Sequence, residues 1–391
     1  MVSVALVTGL DRDPGRVVYL DNAATTPLRP EALEAMLPFL TERFGNPSGG
    51  HRVARDARLA IDEARDVVAD VLGCEPGEVV FTAGGTEADN LAVLGVVAAR
   101  GGTAVCPAAE HHAVLHSVQA VGGQVVGAGP DGAVDLQQLA AALDELGDEV
   151  AVVSVMTANN ELGTLTDLAQ VAAVVAERAP AAALHTDAVQ AAGWCDLRVL
   201  AAHADLISVA AHKLGGPKGV GCLVVRDGTP LRPVLHGGGQ ERDRRSGTHN
   251  VAGVVGFATA LRLAAEERED AGARVRALRA RLLARLVDEV GGVVASAPLD
   301  RSLPGHLHVR IEGCEGEAML VLLDDAGVCA SAGSACASGA VEPSHVLLAT
   351  GVPKAEALTS LRLSLGRTTT EDDVDVAAAA VAAAAARLRA G

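Results

Sequence analysis

Residues 204–225 read ADLISVAAHKLGGPKGVGCLVV, and this stretch predicts two buried strands joined by a glycine-rich turn. The apolar runs Leu206–Ala210 and Gly221–Val225 have the length and residue types of strands inside a sheet. Lys213 follows the first run at the mouth of a core, where an amine can form a Schiff base. Taken alone, the segment fits a surface lysine in a Gly/Pro loop better, so the rest of the chain must decide.

Around this stretch, short Val-rich runs alternate with helical segments from Glu78 onward. The runs EVVFTA, TAVCPA, QVVGA, VAVVSVM and AALHTDA predict strands of a mostly parallel sheet covered on both faces. The pattern changes after Asn250, because residues 251–290 predict one or two long helices with dense charge. Short strands, the small-residue loop CASAGSACASGAVEP and an Ala-rich helix complete the chain. The sequence therefore predicts an α/β fold.

Composition excludes several classes of function. A net charge of −17 and an aromatic content of 2% over 391 residues argue against a nucleic-acid partner. No apolar run reaches the length needed to span a bilayer, and the N-terminus lacks the features of a signal peptide. The seven cysteines are an odd number without a CxxC pair, which favours free thiols in a reducing compartment. We therefore expect a cytoplasmic protein without a membrane partner.

One candidate anion site lies between a predicted strand and a predicted helix. Gly84, Gly85 and Thr86 stand at the start of that helix, where backbone N–H groups and a hydroxyl suit a single phosphate. The chain has neither GxGxxG nor GxxxxGK[ST] at this position, so neither a dinucleotide nor a nucleoside triphosphate is indicated. An ordinary helix start explains the same residues.

Two further polar groups follow predicted strands. Asp187 ends AALHTDA, with Gln190 three residues later, and ligands of parallel sheets bind at such strand ends. If the ligand is pyridoxal phosphate, Asp187 keeps its pyridine nitrogen protonated; otherwise the aspartate caps a helix. Asn159, Asn160 and Glu161 form a second polar cluster directly after VAVVSVM.

His111 in EHHAVLH is the next candidate. Because aromatic residues are scarce, its imidazole is the most suitable ring to lie flat on a cofactor and to move protons. The alternative is a metal site formed by His111, His112 and His116, although their spacing does not match HExxH.

Two residues near the C-terminus complete the set. Cys336 lies in SACAS, within a loop of Gly, Ala and Ser, and an exposed cysteine on such a loop suits a nucleophile better than a packing role. Arg362 in LRLSLGR can hold a carboxylate with its two-pronged guanidinium; otherwise it is an ordinary ion-pair residue.

Eleven motifs in this order give the chain a family resemblance. They are YLDNAATTP, FGNPSGGH, FTAGGTEADNLA, EHHAVL, MTANNELGT, HTDAVQAAG, SVAAHKLGGPKGVG, HGGGQERDRRSGTHN, SAGSACASG, EPSHVL and SLRLSLGR. Together they resemble the cysteine desulfurases of the NifS/IscS-like group, in the class V branch of fold-type I pyridoxal-phosphate enzymes. The resemblance extends from about Val18 to Arg387, and the loop ending in GSAC is similar to that of the first desulfurase subgroup.

The resemblance implies a two-domain α/β transferase fold. Residues 28–266 are expected to form a large cofactor-binding domain with a mostly parallel seven-stranded sheet. Residues 1–27 and 267–391 are expected to form a smaller α+β domain, which carries a mobile catalytic-cysteine loop at about 329–342.

The resemblance also implies a role for each candidate residue. Pyridoxal 5'-phosphate is the implied cofactor, Lys213 its Schiff-base lysine, His111 its stacking ring and Cys336 the sulfur nucleophile. The other implied cofactor contacts are Gly85, Thr86, Asn160, Asp187, Gln190, Ala210, His212 and, from the neighbouring subunit, Thr248. Asn46 and Arg362 match the positions that hold the substrate carboxylate. Many relatives have serine where this chain has Ala210, so one phosphate hydrogen bond is expected to be absent.

The implied reaction converts L-cysteine to L-alanine in a homodimer. Lys213 removes the α-proton, Cys336 takes the sulfur as a persulfide, and an acceptor protein receives it for iron–sulfur cluster assembly or for thiolation of tRNA or cofactors. The alternatives are a selenocysteine lyase, another class V aminotransferase, and a non-catalytic sulfur-relay scaffold. The scaffold is disfavoured because the chain keeps both Lys213 and Cys336.

Overall fold

The structure, a computed structural model, describes residues 17–332 and 342–390. In chain order the strands of this part are β1 (Val18–Tyr19), β2 (Val79–Thr82), β3 (Thr103–Pro107), β4 (Gln124–Val126), β5 (Val150–Ser154), β6 (Ala183–Asp187), β7 (Leu206–Ala210), β8 (Gly221–Val225), β9 (Val293–Ala295), β10 (His306–Ile311), β11 (Val328–Cys329) and β12 (Ser360–Ser364). The helices are α1 (Pro30–Leu40), α2 (Arg52–Leu72), α3 (Gly85–Arg100), α4 (His112–Ala120), α5 (Leu136–Leu146), α6 (Leu168–Arg178), α7 (Leu197–Leu200), α8 (Val251–Val290), α9 (Gly316–Asp325), α10 (His345–Ala349), α11 (Lys354–Ala357) and α12 (Glu371–Arg389).

A seven-stranded sheet forms the centre of the molecule, with the strand order β2-β8-β7-β6-β5-β3-β4. Strand β8 is antiparallel to both of its neighbours, and the other pairs are parallel. The mostly parallel seven-stranded sheet expected from the sequence is therefore confirmed. The two apolar runs around Lys213 are β7 and β8, and every residue of both strands is buried. Strands β2, β3, β5, β6 and β7 point the same way, so their carboxyl ends share one edge.

Helix α3 begins at this edge and packs against β5, β6, β7 and β8. Its N-cap, Gly84, has φ +143°, a conformation that residues with a side chain rarely adopt. The next residue, Gly85, has no room for a side chain, since an added Cβ would lie 2.7 Å from Cγ2 of Val189. Glycine at both positions lets the first turn of α3 approach the end of β6 closely.

The second group of strands lies at the C-terminal side of the chain. Strands β9, β10 and β12 form an antiparallel sheet, and β1 pairs in parallel with β11. Helix α12 packs against α8 and α9, and its N-terminus has a capping box formed by Thr370 and Asp373. Within the described residues, no helix has the length and apolar character needed to cross a bilayer.

Helix α8 is a single helix of 40 residues that joins the two groups of strands. It begins after Asn250, whose side chain accepts a hydrogen bond from the N–H of Gly253 at 3.0 Å. Buried residues up to Ala264 pack in the core around the large sheet, and those from Val275 onward pack with β10 and β12. The expected domain boundary at 266/267 lies between these two parts of the helix and stays a prediction.

Candidate active site

A cavity of about 450 Å³ lies at the shared carboxyl edge of the large sheet. Its volume falls in the range of sites that bind small ligands. The residues of the predicted site that line it are Gly85, Thr86, His111, Asn160, Asp187, Gln190, Ala210, His212, Lys213 and Arg362. Except for Arg362 on β12, these residues lie at or just after the carboxyl ends of five strands of the large sheet. The fold therefore brings together residues that are far apart in the sequence.

Lys213 ends a short 3-10 turn, Ala211–Lys213, directly after β7. Its Nζ donates hydrogen bonds to the carbonyl oxygens of Ala23 at 2.5 Å and Ala24 at 2.8 Å. Burial, together with the nearby Arg362 guanidinium, lowers the pKa of Lys213 to about 8. A lysine in this state supplies neutral amine near physiological pH, which is the nucleophilic form. The structure therefore does not support the alternative of an ordinary solvated surface lysine.

Asp187 and His111 face each other in the cavity. One ligand-type atom from each lies within 4.8 Å of the other and of a carboxylate oxygen of Asp89. Asp187 is the last residue of β6, and its Oδ1 accepts a hydrogen bond from the N–H of Val189 at 2.8 Å. Burial raises the pKa of Asp187, and the neighbouring His111 opposes that rise. A cationic partner would therefore stabilise the ionised carboxylate.

The orientation of the His111 ring follows from its place at the start of α4. Its Nδ1 accepts a hydrogen bond from the N–H of Ala113 at 3.2 Å, so the neutral ring carries its proton on Nε2. Burial lowers the pKa of His111, which favours the neutral form. A neutral ring held in this way can lie against a planar ligand and exchange a proton at Nε2.

The start of α3 and the end of β7 also line the cavity. Gly85 and Thr86 place the N-terminus of α3 there, where backbone N–H groups attract an anion. Nδ1 of His212 lies 3.2 Å from Oγ1 of Thr25, and burial lowers the pKa of His212 to about 4. Ala210 lines this part of the cavity with a methyl group and offers no side-chain hydrogen bond.

Two amide side chains, of Asn160 and Gln190, also line the cavity. The Oδ1 atom of Asn160 is buried and has no hydrogen-bond partner among the described residues. Buried polar atoms are nearly always paired, so this oxygen points to a ligand group. Gln190 donates through Nε2 to the carbonyl oxygen of Ala23 at 2.9 Å, and this bond fixes its side chain beside Lys213.

Arg362 lies on β12 and is almost fully buried. Its Nη2 donates to Oδ1 of Asp21 at 2.8 Å, and its Nη1 donates to the carbonyl oxygen of Asn160 at 3.1 Å. Its Nε has no partner among the described residues. The guanidinium is therefore fixed in place and still has donors for an incoming carboxylate.

Two of the predicted residues do not line this cavity, and a third cannot be placed because it lies outside the described residues. Asn46 and Thr248 are exposed and do not line it. Cys336 lies outside the described residues, as does most of the predicted loop at 329–342. Two residues close to the undescribed segment, Ser331 before it and His345 after it, both line the cavity.

Asp21 and Asp89 were missed at the sequence level, and Glu161 was noted there only as part of a polar cluster, with no role. Asp21 pairs with Arg362, Asp89 lies beside Asp187, and the Ser344 hydroxyl donates a short hydrogen bond to Glu161. Burial raises the pKa of Glu161 to about 7. Each of these three residues occurs in one of the motifs that carry the family resemblance, and those motifs are the sequence signal that could have identified them. Their positions depend on tertiary packing, which sequence spacing does not show.

Among the described residues, the ligand-type atoms of His111, His112 and His116 do not converge as the alternative metal site requires. The His112 ring stacks on His116 at 4.9 Å and lies 4.3 Å from the His345 ring, whereas His111 faces Asp187 in the cavity. The ligand-type atoms that do converge among the described residues belong to Asp89, His111 and Asp187, a set that also suits a divalent cation.

The residues fit pyridoxal phosphate better than a metal ion alone. A buried lysine, a helix N-terminus free of side chains at Gly85 and the unpaired Oδ1 of Asn160 match a carbonyl, a phosphate and a ring hydroxyl. A metal would use none of these three features.

Comparisons with known proteins agree with this assignment. The aminotransferase class-V family matches residues 18–376. An IscS-like cysteine desulfurase of Mycobacterium tuberculosis is 46% identical over 92% of this chain and 93% of its own length. A solved NifS-like protein superposes with a TM-score of 0.86 at 35% identity, covering 94% of this chain and 99% of its own. A structure of SspA in complex with cysteine gives a TM-score of 0.77 at 31% identity, covering 90% and 99%.

Proposed function

The chain belongs to the aminotransferase class-V family, and from that premise we propose how its cavity serves a cysteine desulfurase reaction. The protein is a pyridoxal-phosphate-dependent cysteine desulfurase that takes sulfur from L-cysteine. The observation that best supports the proposed roles is the convergence of Lys213, Asp187 and Arg362 in one cavity. An amine, a carboxylate and a guanidinium there provide a covalent anchor, a partner for a ring nitrogen and a grip for a substrate carboxylate.

When bound, pyridoxal phosphate supplies an electron sink for the α-carbon of an amino acid. In our proposal Lys213 anchors the cofactor, and Asp187 keeps the ring nitrogen protonated. His111 covers the ring, and Asn160 and Gln190 address its oxygen side. Gly85, Thr86 and His212 hold the phosphate at the start of α3, next to Ala210.

The substrate carboxylate binds to Arg362 in this proposal, assisted by Asn46. Lys213, as the free amine, removes the α-proton at its Nζ, and His111 exchanges protons at Nε2. The thiolate of Cys336 forms a bond to the substrate sulfur while the carbon–sulfur bond breaks. The electron pair of that bond stays with the carbon skeleton, which is protonated to alanine. The positions of Ser331 and His345 at the cavity support this role, because Cys336 lies between these two residues in the sequence.

The function is tested by incubating the purified holoenzyme with L-cysteine and a thiol reductant, then quantifying alanine and sulfide. A desulfurase gives the two products in equal amounts. Amino transfer to a 2-keto acid without sulfide release would indicate an aminotransferase, and activity on L-selenocysteine alone would indicate a selenocysteine lyase.

The low pKa of Lys213 predicts how cofactor uptake depends on pH. In cofactor-free protein, the uptake rate is expected to rise up to about pH 8 and to level off above it, since only the neutral amine reacts. At pH 7 roughly a tenth of the amine is neutral, against about 0.04% for a lysine at its ordinary pKa. Stopped-flow absorbance measures the rate, with free lysine amide as the reference. A rate that keeps rising to about pH 10, as for the reference, would show that burial does not perturb this amine.

We further propose a homodimer, in which Thr248 completes the phosphate site of the neighbouring subunit. The exposed face of α1 supports this proposal. Leu33, Leu37 and Leu40 are 44%, 47% and 59% exposed, and Phe44, just after the helix, is 73% exposed. The three leucines form one stripe at helical spacing, and an apolar stripe left in water marks an interaction surface. Asn46 follows the stripe in the sequence, so a neighbouring chain that packs on the stripe would also cover Asn46.

Charges on the leucine stripe are expected to disrupt the dimer. Changing Leu37 and Leu40 together to aspartate should raise the dimer dissociation constant by about 100-fold or more, because an interface cannot desolvate unpaired carboxylates. Sedimentation velocity measures the effect. The control is Val199→Asp, because Val199 is an apolar residue on α7 that is even more exposed and lies outside the stripe. A monomeric parent protein, or a double variant with unchanged mass, would contradict the proposal.

The sulfur acceptor and the compartment are also proposals. A persulfide on Cys336 would be passed to an acceptor protein for iron–sulfur cluster assembly or for thiolation of tRNA or cofactors. The six described cysteines are free thiols, which supports a reducing compartment such as the cytoplasm.

A further inference from the structure

Asp21 is an acidic residue in a cavity that must receive an amino-acid carboxylate. It follows β1, and its backbone is fixed by a bridge to Ser364 and by the Tyr19 hydroxyl, which donates to the Asp21 carbonyl at 3.0 Å. Its side chain is 22% exposed and lines the same cavity as Lys213 and Arg362. An anion at the carboxylate end of a substrate pocket would repel the substrate unless it recognised another of its groups.

The partner of Asp21 is the guanidinium of Arg362. The 2.8 Å bond from Nη2 to Oδ1 places a positive and a negative group side by side, both facing the cavity. Arg362 has further N–H donors that the described residues do not use, including Nε. Asp21 has a second oxygen, Oδ2, which makes no hydrogen bond to Arg362. The pair can therefore bind one group at each end without separating.

An α-amino acid carries the complementary pair of charges. Its carboxylate and its ammonium group are attached to one carbon, so they lie about as close together as the two side chains do. An amino acid whose carboxylate binds the free donors of Arg362 can place its ammonium group next to Asp21. The carboxylate of Asp21 also acts on the amine of Lys213, whose pKa it raises against the effect of burial. Asp21 thus faces the place that the substrate nitrogen must reach.

From this geometry we propose that Asp21 is a specificity-determining residue that binds the α-ammonium group of the incoming amino acid beside the carboxylate held by Arg362. The proposal rests on the desulfurase function proposed above and adds a determinant of its substrate class. It selects α-amino acids over carboxylic acids that lack the amine. If Asp21 only orients Arg362, the prediction differs. Removing its charge would then weaken the binding of every carboxylate equally, with or without an amine.

Two ligands without a transferable sulfur separate the two roles. S-methyl-L-cysteine has the amine and the carboxylate, and 3-(methylthio)propionate has the same chain without the amine. Titration calorimetry measures both affinities on borohydride-reduced holoenzyme, in which the cofactor stays fixed on Lys213 and cannot form an imine with the ligand amine. The Asp21→Asn variant is expected to bind S-methyl-L-cysteine about 10- to 100-fold more weakly and to bind 3-(methylthio)propionate as well as the parent or better.

Control variants complete the experiment. Asp21→Ser removes the same charge and replaces Asp21→Asn if that variant does not fold. Arg362→Lys should weaken the binding of both ligands. In turnover, Asp21→Asn should raise KM for L-cysteine by a similar factor and change kcat less. Equal weakening of both ligands, or no weakening of either, would overturn the proposal. If the parent holoenzyme itself forms no alanine from L-cysteine, the function fails instead, so the two failures are distinguishable.

Discussion

Replacing Lys213 with alanine is expected to abolish covalent attachment of the cofactor and to lower the rate of alanine formation by about 10³-fold or more. The amine of Lys213 is buried at the carboxyl edge of the sheet, where two backbone carbonyls aim it into the cavity. No other lysine among the residues that the structure describes lines this cavity. The variant should still fold, because Lys213 bonds to the carbonyls of Ala23 and Ala24 and supports no strand or helix cap.

The chain offers an unusually clear readout of this prediction. It contains three lysines, at positions 213, 218 and 354. Borohydride reduction followed by peptide mass spectrometry should therefore place the cofactor on Lys213 alone. Lys354→Ala is the matched control, since that side chain is exposed on α11 and should leave labelling and activity unchanged. Labelling of another lysine, or full activity in Lys213→Ala, would contradict the assignment.

Replacing Cys336 with alanine is also expected to have a large effect, but on sulfur transfer and not on cofactor attachment. The variant should keep the visible absorbance of the cofactor and should still bind L-cysteine, because the cofactor contacts proposed here do not include Cys336. Sulfide release should fall by about 10²-fold or more, since the thiolate that accepts the sulfur is absent. Absorbance titration with L-cysteine and a sulfide assay measure the two properties separately.

The control for Cys336→Ala is Cys329→Ala, in β11 close before the undescribed segment. Burial raises the pKa of the Cys329 thiol, so it is a poorer nucleophile, and its removal should leave sulfide release unchanged. Full desulfuration by Cys336→Ala would mean that another group takes the sulfur. Loss of cofactor absorbance in the same variant would mean that Cys336 acts in binding.

Much of the fold was predictable, because its signals are local. The apolar runs that became β7 and β8 are short, fully buried and separated by a glycine-rich turn, which single-sequence patterns show well. The alternation of strands and helices predicted the parallel sheet for the same reason. Residues 251–290 left open whether one helix or two form, since dense charge along both halves does not mark a break.

The site was predictable only in part. Asp187 ends a strand, and His111 and Lys213 follow strands; because parallel strands bring their carboxyl ends together, the convergence of the three residues follows from the fold. Asp21 could not be placed in this way. It approaches Arg362 because the chain just after β1 forms a bridge from Asp21 to Ser364 at the end of β12, and no spacing in the sequence encodes that contact.

Asn46 and Thr248 show a different limit. Both are exposed in a single chain, and the roles that the resemblance implies for them require a second copy of the chain or movement of their loops. Their assignments stay predictions until the oligomeric state is measured.

The central claim is that Lys213 makes the substrate sulfur removable and Cys336 receives it. The most direct test is a single turnover of the holoenzyme with L-cysteine that carries heavy sulfur, followed by peptide mass spectrometry without reductant. The peptide with Cys336 should gain one labelled sulfur atom, which a thiol reductant removes, and the Lys213→Ala variant should show no gain. Labelled sulfur on a different cysteine, or alanine formation with no sulfur on Cys336, would contradict the account.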